Sequence, residues 1–81
     1  MRTTNGLLAQ VAKDVRMRRV EAGLTQEVLA GLSNTGLRFI RELEQGKPTL
    51  EIGKVLEVLQ TLGLRLVLDV QRPLHYAVPS A

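Results

Sequence analysis

The sequence predicts a small all-α domain of four short helices followed by a single β-strand. Two patterns carry that prediction. Apolar residues recur at helical spacing in four successive segments, and each segment is closed by glycine or by a cluster of turn-forming residues. From about residue 64 the period changes to the two-residue alternation of a strand. Length and composition agree with one folded unit. Eighty-one residues hold a single core, and a hydrophobic share of 44% with 23% charged residues describes a chain that folds.

Taken in order, residues 1–6 form an N-terminal arm and the domain proper spans 7–63. The first helix runs from Leu7 to Ala22, with Leu8, Val11, Ala12, Val15 and Ala22 on one stripe and Gly23 to end it. Arg19 falls on that same stripe, where a charge needs a buried partner. Thr25 is the N-cap of a short second helix, Glu27 suits its first turn, and Val28, Leu29 and Leu32 supply its buried face. Ser33-Asn34-Thr35-Gly36 is a tight turn. The third helix, Leu37 to Glu44, buries Phe39, Ile40 and Leu43, and Gly46 and Pro48 stop it. Thr49 caps the fourth, from Leu50 to about Leu62, whose apolar face is Ile52, Val55, Leu56, Leu59 and Leu62.

Leu64, Leu66, Leu68 and Val70 then alternate with Arg65, Val67 and Asp69. A lone strand leaves backbone groups unpaired, and the same strand of a second copy is the simplest partner across a two-fold axis. The strand over 64–70 is therefore read as the dimer interface; irregular chain there is the alternative. Residues 71–81, with two prolines and no periodicity, form a flexible tail.

Charge narrows the function. The chain carries +3 with a sequence pI near 10.0. Residues 1–47 hold eight basic and five acidic side chains, whereas residues 48–81 hold three of each. A basic half joined to a neutral half points to a polyanion on the first half; a chance excess on a solvated surface is the bland alternative. No thiol chemistry or disulfide framework is available without cysteine. His75 is the one histidine, and with Tyr76 it stands in the tail without a nucleophile or a phosphate loop. No enzyme, metal or cofactor is expected. Neither a signal peptide nor a spanning helix is expected either, which makes a cytoplasmic protein the default.

Two short helices joined by a tight turn, over about 25–45, with arginines on the second, have the layout of a helix-turn-helix. The run Gly23-Leu24-Thr25-Gln26-Glu27-Val28-Leu29-Ala30, with Ile40-Arg41-Glu42-Leu43-Glu44-Gln45-Gly46-Lys47, resembles the lambdoid-repressor type, the XRE or Cro/CI family. The string from Arg38 to Thr49, then Gly53-Lys54-Val55-Leu56 and Leu62-Gly63-Leu64 ahead of a strand, is similar to the HipB-like antitoxins. The resemblance covers roughly residues 8–70. It implies a compact lambda-repressor-like domain that dimerises through its C-terminal strand. It also implies a third helix that enters the major groove, with Gly36, Leu37, Arg38 and Arg41, and Glu42 beside them, facing the bases. Gln26, Lys47 and Thr49 take phosphate positions, although a solvated loop lysine is the alternative for Lys47. Arg19 and Glu44 match a buried salt bridge that ties the first helix to the third. Asn34 stands where the family has a turn glycine, Gly36 where it has a capping Ser or Thr, and Leu37 where a polar residue is common.

The function these readings imply is a sequence-specific repressor on a palindromic double-stranded operator. As the antitoxin of a toxin–antitoxin operon, it would pair with a HipA-like kinase toxin. A stand-alone regulator of the same family and a helix-turn-helix fold that only binds protein are the alternatives.

Overall fold

Local residues explain several of the helix ends. The computed structural model describes residues 2–48 and 51–69. Among them are four helices: α1 (Arg2–Glu21), α2 (Gln26–Leu32), α3 (Leu37–Glu44) and α4 (Ile52–Thr61). The α1 helix takes in residues expected as an N-terminal arm. No helix is long and apolar enough to cross a membrane.

Thr25 is extended and its hydroxyl accepts from the Val28 N–H at 3.1 Å, so α2 opens on a side-chain cap. Its other end is held by Ser33, which is buried. The Ser33 hydroxyl donates to the Leu29 carbonyl at 2.8 Å and lies 2.9 Å from the Thr35 hydroxyl, so no polar atom is stranded. Asn34 takes φ +56°, the left-handed turn that its side chain tolerates better than most. Gly36 stands extended before α3 without a side-chain cap. Gly46 closes α3 at φ +75°, and a Cβ there would sit 3.6 Å from the Leu8 carbonyl oxygen. Glu51 occupies the N-cap of α4, so that helix begins two residues later than the sequence suggests. Thr49 and Leu50, expected as its cap and first residue, lie outside the described residues.

The core is Val15 of α1, Leu29 and Ala30 of α2, Ile40 and Leu43 of α3, Val55, Val58 and Leu59 of α4, and Leu62 just after it. The α3 helix packs against both α1 and α2, and α4 packs against α2. Two expected faces are corrected. Val28 and Leu32 of α2 are exposed, while Ala30 and Ser33 are buried in their place. On α4, Ile52 and Leu56 are exposed and Val58 is buried. Ala22 of the first stripe is exposed as well. Each short helix carries more apolar residues than its one buried stripe can cover, and neighbours, not periodicity, select which are used.

One cation of the basic half is structural. The Arg18 guanidinium donates through Nε to the Leu62 carbonyl at 2.8 Å, which satisfies an acceptor left over where α4 ends. Gly63, at φ +74°, keeps that approach open: a Cβ would meet the Arg18 guanidinium at 3.3 Å. Arg18→Ala is expected to destabilise the domain by about 1 kcal/mol through this lost charged hydrogen bond. Thermal unfolding checks it, and a melting point that does not fall would show that water replaces the guanidinium.

Residues 64–69 are neither helix nor strand. Leu64 packs on the core, and its N–H donates to the Leu59 carbonyl at 2.7 Å. The expected strand over 64–70 thus has no ladder partner among the described residues of the single chain. Val70 and the tail 71–81, with His75 and Tyr76, lie outside them.

Candidate nucleic-acid interface

The α3 helix is held by one buried ion pair and displays what remains of its polar face. Arg19 of α1 donates through Nε to Glu44 Oε2 at 2.6 Å and through its second terminal nitrogen to Glu44 Oε1 at 3.0 Å. The third donor direction meets the Leu24 carbonyl at 2.9 Å. The side chains are 13% and 5% exposed, so the pair is buried and bidentate. The hydrogen bonding to the Glu44 carboxylate, with that group's charge, raises the Arg19 pKa still further and fixes the guanidinium as a cation. Gln26, at the start of α2, joins the same carboxylate, its amide nitrogen donating to Glu44 Oε1 at 3.1 Å. Three helices are thereby pinned at one point.

Around that point lies an open polar cleft, lined by Arg16, Arg19, Gln26, Arg41, Glu44 and Gln45. Sequence reasoning on the groups facing the groove singled out Arg41 but not Arg16. One α1 position brings Arg16 beside α3, and only the packing of the two helices reveals it. Among the described residues neither Arg16 nor Arg41 has a carboxylate within ion-pair distance.

Arg38 and Arg41, expected together on one face, have different surroundings. Arg41 lines the cleft. Arg38 is 88% exposed and donates to Glu42 Oε2 at 3.2 Å. Lys47, in the loop after α3, donates to the same oxygen at 3.1 Å. The Lys47 ammonium, with the Arg38 guanidinium beside it, holds the Glu42 carboxyl below the usual carboxylate range. Gly36 is exposed at the start of α3 and Leu37, next to it, is half-buried. Thr49 lies outside the described residues. Of the residues expected at a dimer interface, Leu64 is half-buried against the chain's own core, while Leu66 and Leu68 are exposed.

A capped short helix, a left-handed turn and a second helix that presents arginines define a helix-turn-helix domain. Over 55 residues the chain is 58% identical to the uncharacterized HTH-type transcriptional regulator y4mF of Sinorhizobium fredii, a match that covers 68% of this chain and 72% of that protein. No family model matches the chain. The chain belongs to the family of HTH-type transcriptional regulators.

Proposed function

We propose that this chain is a non-enzymatic, dimeric repressor that binds a palindromic operator in double-stranded DNA in the bacterial cytoplasm. The carrying observation is the exposed basic face of a recognition helix that the Arg19–Glu44 pair locks to the rest of the domain. Arg38 and Arg41 are the base-reading candidates, since a guanidinium takes guanine O6 and N7 bidentately. Gly36 and Leu37, at the start of the same helix, allow close approach and contact with a thymine methyl. Lys47, Gln26, Thr49 and the newly placed Arg16 are the phosphate candidates, which set register and salt-sensitive affinity but not sequence. Dimerisation through 64–70 is supported by the exposed Leu66, Val67 and Leu68, which line an apolar groove together with Leu7, Ile52 and Val55.

Within that reading, the protein is the HipB-like antitoxin of an autoregulated operon, partnered with a HipA-like kinase. What supports this is the Arg38–Thr49 string, with Leu62-Gly63-Leu64 ahead of the alternating apolar segment. A stand-alone regulator has the same DNA face, and the relative's description as a transcriptional regulator fits it equally. A neighbouring gene for such a kinase, and co-purification of its product with this chain, separates the two.

Binding to the DNA upstream of its own gene tests the DNA reading. Arg38→Ala and Arg41→Ala are each expected to lose about 1–3 kcal/mol of preference for that site over random duplex. Lys47→Ala is expected to weaken both equally and to flatten the plot of log affinity against log salt by about 0.9. Full site preference in both arginine variants would remove α3 from the role of reader. A wild-type protein that binds no duplex would leave a protein-interaction domain as the function.

A further inference from the structure

Glu42 is an acidic residue on a face that has to meet a polyanion. It stands on α3 between Arg38, a base-reading candidate, and Lys47, a phosphate candidate. Both bond the same Oε2 oxygen, at 3.2 and 3.1 Å, while the Glu42 side chain keeps 23% of its surface open. A salt-bridge role for stability explains little here. Arg38 is almost fully exposed, and the order of an arginine one turn before its glutamate is the weaker one on a helix.

We propose that Glu42 is a specificity-determining internal counter-ion, which occupies Arg38 and Lys47 in the free protein and so suppresses binding to random DNA. The inference rests on the DNA-binding reading and deepens it. Non-specific affinity comes from cations that displace counterions condensed on phosphate. A cation already neutralised by Glu42 gains less from a phosphate, and the carboxylate itself repels the backbone. At a cognate site Arg38 has a second reward, two hydrogen bonds to one guanine, which outweighs the lost ion pair. The penalty therefore falls more heavily on wrong sequences than on the right one.

The test is Glu42→Gln, which keeps shape and removes charge, titrated with random duplex and with the upstream duplex across a salt series. Affinity for random duplex is expected to rise roughly fivefold, the effect of one charge at salt-bridge distance in water. The slope against salt should steepen by about 0.9. Affinity for the upstream site should rise less, so that site preference falls. In a Lys47→Ala background the gain on random duplex should shrink, because one of the two cations that Glu42 restrains is gone. Unchanged random-duplex affinity and slope overturn the proposal, as does a loss of upstream-site affinity alone, which would make Glu42 a base acceptor. Equal gains on both duplexes overturn it as well, leaving simple repulsion. Wild-type protein that binds neither duplex fails the function itself, a result distinct from wild-type binding that Glu42→Gln leaves unmoved.

Discussion

Glu44→Ala is expected to lower the unfolding free energy by about 3–5 kcal/mol, the cost of breaking a buried ion pair from one side. The size follows from what is left behind. Arg19 loses two of its three bonded directions and keeps only the Leu24 carbonyl, with little of its side chain open to water. Gln26 loses its acceptor at the same moment. Small domains have about 5–15 kcal/mol in total, so this single change brings the protein close to unfolding at ordinary temperature. Chemical denaturation of wild type and variant measures it. A difference below about 1 kcal/mol would mean that water reaches the guanidinium and that the pair behaves as a surface one. A companion variant separates burial from geometry. Arg19→Met with Glu44→Leu removes both charges together and is expected to recover most of the loss, because it strands neither group. DNA affinity should not follow stability in that double variant: α3 would be packed, but the cleft with Arg16 and Arg41 would have lost its central fixed point.

Why some of this was legible in the sequence and some was not is a matter of range. Thr25, Asn34 and Gly46 announce caps and turns whose cause lies within a few residues, and the chain adopts the predicted conformation at each. Arg19 was visible for a different reason: it is a charge on an apolar stripe that calls for a buried partner, and the family resemblance supplies Glu44. The failures share one source. Val28, Leu32, Ile52 and Leu56 fit a helical stripe as well as the residues that are buried, and only the azimuth at which α2 and α4 meet their neighbours decides among them. Arg16 and Arg18 are indistinguishable as sequence, two basic residues near the end of one helix. The first lines the cleft and the second caps the end of α4. Glu42 gave no signal of restraining both neighbours, because one partner is a turn away on its helix and the other lies in the following loop. The alternation over 64–70 is a true pattern whose outcome depends on something outside one chain.

That segment carries the second large effect. Leu68→Asp is expected to turn the proposed dimer into monomer and to reduce operator affinity by about 10²–10⁴-fold, the advantage that linking two half-site readers confers. Leu68 is 92% exposed in the single chain, so the substitution removes no contact of the monomer's own core. Leu64, which is packed on that core, is left in place for the same reason. Leu66 and Leu68 line an apolar groove with Leu7, Ile52 and Val55; a two-fold pair of strands would cover it, and a carboxylate put there would be desolvated without a partner. Like charges from the two copies would then also face each other across the axis. Sedimentation of wild type and variant reads the assembly, and titration with the upstream duplex reads the consequence. The melting point of dilute protein checks that the helical domain has survived. A variant that sediments as a dimer and binds with wild-type affinity would take 64–70 out of the interface. A wild type that is monomeric at full affinity would remove the dimer, and each recognition helix would then have to read its site alone.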